Sequence, residues 1–266
     1  MKELLIPAQE ITREAGAKIM QFYRSAINVT EKSPDNPVTE ADLTSDTYLR
    51  ENLTALLPEA GWLSEETVDS PERLDKAYLW VVDPLDGTKE FVYGISEFSV
   101  SVALVHQGLP VLGIIYNPAT KEMVSGAKGQ GVTLNAIPAV VSPRTILAGA
   151  TVDASRSEMK RGEFDPFKSH LNLKVTGSIA YKLARVSVGV SDATWSRGPK
   201  HEWDICAGHF LVEEAGGTCV DLDNRPLTYN KHLPKANGII ANNGSLHKQI
   251  VAELAPYGAA RTEPGL

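Results

Sequence analysis

Cysteine is scarce in this chain of 266 residues, with only Cys206 and Cys219 present. Two thiols without a CxxC spacing give neither a disulfide framework nor a thiolate zinc site, and reduced thiols in a cytoplasmic protein are expected. The six histidines, at 106, 170, 201, 209, 232 and 247, never fall into HxxxH or HExxH spacing, which excludes the helical zinc motif. Basic runs are also missing. The longest is Lys160-Arg161, and 26 Lys and Arg stand against 33 Asp and Glu for a net charge of −7. A protein that grips a nucleic-acid polymer draws most of its affinity from phosphate contacts along a basic stripe, so that function class drops out. No uninterrupted apolar run approaches the roughly 18 residues of a membrane span. The first residues include Lys2, Glu3 and Glu10 with no apolar core between them, so a secretory signal is not expected. A GxxxxGK[ST] phosphate loop is absent too, and Gly126-Ala-Lys-Gly-Gln-Gly131 reads as a hairpin.

What is present is an ordinary globular balance, 42% hydrophobic and 22% charged, in a chain long enough for a large α/β core. Leu4, Ala8, Ile11, Ala15, Ile19 and Phe22 recur at helical spacing and predict an amphipathic helix near 3–24. The polar stretch from Glu31 to Pro37 reads as a loop, and Thr39 opens a second helix that ends before Pro58. Strands are expected at 78–82, at 98–104, at 111–116 and, as a hairpin, after Met123-Val124. Beyond these come a strand at 146–152, a helix at 179–188, a strand at 193–195, a helix at 204–214 and a strand at 238–241. No internal repeat appears, and two closely packed halves, 1–145 and 146–266, are expected.

The chemistry concentrates in Trp80-Val-Val-Asp83-Pro84-Leu85-Asp86-Gly87-Thr88. An apolar strand delivers Asp83 to its C-terminal end, where open sheets place ligands. A second carboxylate follows three residues later, and Gly87 and Thr88 offer backbone N–H groups at a helix start. Paired hard-oxygen ligands of this kind suit Mg²⁺ holding a phosphate. Two aspartates are too few for two or three ions, so other acids must converge. Taken alone, Glu65 in Ser64-Glu65-Glu66 reads as a solvated loop acid, and Asp204 as a charge favoured at a helix N-terminus. By the same measure Asp42, three residues after Thr39, reads as the acid of a capping box. Cys206, beside Asp204, reads as a core thiol rather than a nucleophile.

Together, Pro37-Val-Thr-Glu-Ala-Asp42, Ser64-Glu65-Glu66, Asp83-Pro-Leu-Asp-Gly-Thr88, Trp203-Asp204 before Ala207-Gly208, and Glu213-Glu-Ala-Gly-Gly217 resemble the inositol monophosphatase superfamily of Mg²⁺-dependent phosphatases. The resemblance implies a layered αβαβα sandwich, with most metal ligands in the first half and Asp204 and the substrate-binding residues in the second. It implies two or three Mg²⁺ ions. Glu65, Asp83 and the Leu85 carbonyl would hold the first, and Asp83, Asp86 and Asp204 the second. A third, weaker ion would lie near Glu65 and Asp42. Thr88 and Asp42 would orient and deprotonate the attacking water, with Glu65 counted among the catalytic groups. The run Lys89-Glu90-Phe91 after Thr88 is most similar to the 3′(2′),5′-bisphosphate nucleotidases, which remove the 3′-phosphate of adenosine 3′,5′-bisphosphate. The nearest alternative is an inositol- or sugar-phosphate phosphatase, and a non-catalytic nucleotide or metal sensor is a more distant one. For a small phosphorylated nucleoside or sugar, the expected contacts are Gly87, Thr88, Gly177, Ser178, Lys182 and Arg197. Lys200, in the same basic run as Arg197, offers a further anion contact, although taken alone both read as part of a solvated basic loop. Homodimerisation stays open.

Overall fold

The computed structural model describes residues 1–25, 29–33 and 36–258. The first helix, α1 (Lys2–Met20), is followed by a two-stranded antiparallel ribbon of β1 (Val29–Ser33) and β2 (Asn36–Thr39). The loop expected from Glu31 to Pro37 is therefore largely strand, with residues 34–35 outside the described chain. A polar ribbon lacks the alternating apolar signal, and having only edge strands it accommodates Pro37. Helix α2 (Glu40–Leu56) starts at the Thr39 cap as expected.

A seven-stranded sheet follows in strict spatial order: β3 (Gly61–Ser64), β4 (Tyr78–Asp86), β5 (Ser99–His106), β6 (Leu109–Asn117), β7 (Glu122–Ala127), β8 (Val132–Leu134) and β9 (Ile137–Ala139). Only the β3–β4 pair is parallel. A short helix, α3 (Thr88–Val92), links β4 to β5. Successive residues of a strand face opposite sides, and β4 uses both. Trp80 and Val82 join Val100, Val102 and Leu104 in a core with α1 and α2, whereas Leu79 and Val81 join Ala103 and Val105 in a core on the other face.

That second core is built with α5 and α6. Ahead of them lie β10 (Thr151–Ala154), α4 (Arg156–Lys160) and β11 (Asn172–Val175), then α5 (Ile179–Ser187), β12 (Ala193–Ser196), β13 (Lys200–His201) and α6 (Glu202–Glu214). The chain closes with β14 (Thr218–Val220), β15 (Lys235–Ala236), β16 (Ile239–Asn242) and α7 (His247–Leu254). A five-stranded sheet has the order β11-β10-β12-β16-β14. Ile239 and Ala241 turn toward α5 and α6, and Ile240 turns toward Phe164, Phe167 and Trp195 with α7. The layers thus run helix, sheet, helix, sheet, helix, and the central α5–α6 core joins residues from Leu63 to Ala241. The strand expected at 146–152 begins only at Thr151, because Gly149 has φ +74° and Ala150 N–H turns back to the Leu147 carbonyl at 2.8 Å. Among the described helices, none is long and apolar enough to cross a membrane.

The central layer depends on two missing side chains. A Cβ on Gly208 of α6 would lie 2.4 Å from Leu183 Cβ of α5, and one on Gly113 of β6 would lie 2.8 Å from the Ala207 carbonyl oxygen. Substituting Gly208→Ala is therefore expected to destabilise by about 1–3 kcal/mol through overpacking, measured by urea unfolding. Helix propensity alone predicts a gain of about 1 kcal/mol, so a stabilised variant would overturn this packing account.

Candidate active site

The strand β4 carries its acids into the site through a bulge. Asp83 pairs with Ser101 but Asp86 pairs with Ser99, so three steps on β4 oppose two on β5. The extra residue re-aims the strand end. Within the bulge Leu85 N–H donates to Asp83 Oδ1 at 3.0 Å, and Ser45 of α2 donates its hydroxyl to the Pro84 carbonyl at 3.0 Å. Gly87 then has φ +96°, and a Cβ there would meet the Glu97 carbonyl at 2.9 Å. Only glycine suits both conditions.

Each remaining acid arrives on a different element. Glu65 follows β3, with its N–H donating to the Val82 carbonyl at 3.3 Å. Its loop is tied down by buried Asp46 of α2, which accepts Ser64 Oγ at 2.5 Å and Thr67 Oγ1 at 2.7 Å. Asp204 is the third residue of α6 and accepts the His201 N–H at 2.9 Å. Asp42 is the third residue of α2, where its Oδ2 accepts Thr39 N–H at 2.7 Å and Thr39 Oγ1 at 2.6 Å. Its other oxygen, Oδ1, lies 3.0 Å from Thr88 Oγ1. The acid that caps each helix is therefore also the one turned to the site, Asp42 through Thr88 and Asp204 on the cavity wall. Thr88 Oγ1 is also 3.0 Å from the Leu85 carbonyl, so its single proton serves one acceptor at a time.

Ser178, at φ +56°, occupies a backbone region that non-glycine residues rarely adopt. It caps α5 by accepting the Tyr181 N–H at 2.9 Å, and it donates to Asp86 Oδ2 at 2.5 Å. Asp86 Oδ2 also accepts the Ala180 N–H at 2.6 Å, so this acid closes the start of α5 from another element.

Glu65, Asp83 and Asp204 each place a carboxylate oxygen within 4.8 Å of the others. Burial raises the Asp83 pKa well above the ordinary range, and the charges of Glu65, Asp86 and Asp204 add to the rise. Burial pushes Asp204 up to about 8, helped by Asp86 and Glu65. Asp86 rises to about 6 through burial, against the pull of its Ser178 and Ala180 hydrogen bonds. Asp42 is also raised by burial. Packed like charges out of water are costly unless a cation joins them. The donors are carboxylate oxygens with the Leu85 carbonyl beside them, a set that fits a hard divalent cation.

Glu65, Asp83, Leu85, Asp86 and Asp204 line one cavity of about 440 Å³ with Gly87, Thr88, Gly177, Ser178 and Lys182, and Asp42 reaches it through Thr88. Lys182 is buried and pairs with Glu158 at 3.4 Å. Ser155, Ser157 and Glu158 on this wall escape the sequence reading, although Ser155-x-x-Glu158 is a legible capping box. Lys200 also lines the cavity. Arg197 does not: its guanidinium donates to the Tyr257 and Gly258 carbonyls at 3.0 Å each, beyond the end of α7. Of the expected substrate contacts, Arg197 is thus the one placed outside the cavity lining, because β12 ends at Ser196 and the next side chain turns to Tyr257 and Gly258. Cys206 is fully buried, in keeping with a core thiol.

The model of the inositol monophosphatase family matches residues 1–259. A 3′(2′),5′-bisphosphate nucleotidase CysQ from Aggregatibacter actinomycetemcomitans is 35% identical over 237 residues, covering 86% of this chain and 88% of its own. An inositol-1-monophosphatase from Mesorhizobium japonicum is 35% identical over 258 residues, covering 93% of this chain and 94% of its own. The solved inositol monophosphatase from Anabaena (Nostoc) superposes with a TM-score of 0.81 at 30% identity, covering 97% of each chain. With this match spanning the acids just described, the chain belongs to the inositol monophosphatase family of metal-dependent phosphatases.

Proposed function

We propose that the protein hydrolyses the 3′-phosphate of adenosine 3′,5′-bisphosphate with water as nucleophile. The observation that carries the reaction type is the meeting of Glu65, Asp83 and Asp204 within 4.8 Å, with Asp86 and the Thr88–Asp42 pair lining or touching the same cavity. Two or three Mg²⁺ ions would be held by Glu65, Asp83, Asp86, Asp204 and the Leu85 carbonyl, with Asp42 near the weakest. Magnesium bound there supplies neutralisation of the phosphoryl oxygens, activation of water and stabilisation of the leaving alkoxide.

The chain's own residues handle the proton. Thr88 Oγ1 accepts a proton from the attacking water as its own proton passes to Asp42 Oδ1, a path already spanned by a 3.0 Å contact. Asp42 Oδ2 is engaged by Thr39, which leaves Oδ1 as the receiving atom. Burial makes this carboxylate a stronger base than an exposed aspartate. Gly177 and Ser178 border the nucleoside side of the cavity, and the ammonium of Lys182 offers a counter-charge for a second phosphate. A second reading, an inositol-1-phosphate phosphatase, is favoured by the Mesorhizobium relative, which is as similar as the nucleotidase over more of the chain.

The two substrates separate by phosphate release under saturating Mg²⁺. A higher kcat/KM for adenosine 3′,5′-bisphosphate is expected, and a clear advantage for inositol 1-phosphate would reject the nucleotidase reading. Asp83→Asn is expected to lower kcat by at least about 10²–10³-fold, while circular dichroism shows a folded protein. An active purified variant would dismantle the ligand assignment. Stability gives a third test. Asp204 and Asp86 rise to about 8 and about 6 in the fold, so at intermediate pH the native chain retains protons that the unfolded chain has lost. Stability of the metal-free protein therefore falls as pH rises from the ordinary carboxylate range to about 8. Mg²⁺ favours the ionised acids, so the rise in Tm that it produces is expected to grow over the same interval. A metal-free Tm that climbs between pH 5 and 8 would contradict the assignment.

A further inference from the structure

At the rim of the cavity, three segments distant in sequence are tied together by one guanidinium. Arg156 opens α4, and its Nη1 reaches Glu97 Oε2 at 2.5 Å and Glu90 Oε1 at 3.3 Å. The same Glu97 oxygen accepts the Gly177 N–H at 2.7 Å. The stem of Glu90 lies against Gly177 so closely that a Cβ there would be 2.4 Å from Glu90 Cγ. Gly177 is thus held by a hydrogen bond and by packing, and both holders are fixed by Arg156.

The next residue is Ser178, whose positive φ is unfavourable for a residue with a side chain. Such a conformation persists only where neighbours over-determine it. Its hydroxyl and the N–H of Ala180 are the two donors that orient Asp86 Oδ2. A chain of direct contacts therefore runs from Arg156 through Glu97 to Gly177, Ser178 and the carboxylate of Asp86.

The geometry points to Arg156 as a positioning residue for the metal centre: through Glu97 it holds Gly177 and Ser178 in the backbone conformation that aims Asp86. This rests on the metal-dependent reading above and adds to it a residue that is itself no ligand. Long-range charge predicts the opposite effect. Removing a cation beside an acidic cluster makes the cluster more negative and should tighten Mg²⁺ binding. Positioning predicts weaker binding, because the partner that orients a metal ligand typically contributes about 10–100-fold in affinity.

Mg²⁺ binding to the metal-free protein, measured by titration calorimetry, separates the two. Arg156→Ala is expected to raise the Mg²⁺ Kd about tenfold, and Arg156→Lys, which keeps a donor for Glu97, to recover most of that loss. Glu97→Asp leaves the charge unchanged but shortens the reach to Gly177, and it is expected to weaken binding in the same direction. This second variant carries the test if Arg156→Ala fails to fold. An unchanged or lower Kd in the folded variants overturns the positioning role and leaves the metal centre intact. A wild-type protein that takes up no Mg²⁺ overturns both.

Discussion

Mutual repulsion among closely packed acids is the constraint around which this molecule is arranged. Glu65, Asp83, Asp86 and Asp204 face one cavity, and burial raises the pKa of the three aspartates. The chain offsets part of the repulsion before any cation is considered. Asp42 and Asp204 each sit in the first turn of a helix, and Asp86 closes the start of α5 from outside. Three helix N-termini, each carrying partial positive charge, thus meet at the acids. Each contributes little, and together they bias the site toward negative charge without neutralising it. That residual imbalance is what a hard divalent cation relieves.

Bringing those helices to one point explains the layered architecture. The acids come from the end of β3, the bulged end of β4 and the starts of α2 and α6, which lie in three different layers. The layers must approach closely, and the small residues at the α5–α6 and α6–β6 contacts permit it. The cavity wall around Lys182 is held by a similarly shared group. Glu158 closes the cap of α4, accepts the Ser196 hydroxyl and pairs with Lys182, so one buried carboxylate fixes three segments behind the cavity. Hydrogen bonds and the Lys182 charge hold its pKa down at about 2 against the opposing effect of burial.

Much of this was legible in the sequence where the signal is local. The apolar run into Asp83, the alternation in β5 and the Thr39 cap of α2 each depend on neighbours along the chain. The string from Asp83 to Thr88 also announced hard-oxygen chemistry. Asp42 and Asp204 were ambiguous between cap and site residue for a sound reason, since each makes the cap contacts while Asp204 lines the cavity and Asp42 touches Thr88. What escaped depends on partners far away in sequence. Asp46 meets Ser64 and Thr67 only after folding, and Arg156 meets Glu90 and Glu97 across roughly sixty positions. The placement of Arg197 was illegible for the same reason: its closeness to Asp204 along the chain says nothing about the direction of its side chain. The ribbon β1–β2 was missed because its sequence carries no alternating apolar signal.

The shared role of cap and acid bears on how chain length can vary. Each residue advances an α-helix by about 100° around its axis. One residue gained or lost in the first turn of α2 or α6 would swing Asp42 away from Thr88, or Asp204 away from the cavity, and strip the helix of its cap at the same time. The far end of α2, at Leu56, carries no such double duty, whereas that of α6 is held by Glu214, whose Oε1 accepts the Gly131 N–H at 2.8 Å. Insertions and deletions in this lineage should therefore gather at the distal end of α2 and leave the proximal turns of α2 and α6 at constant length.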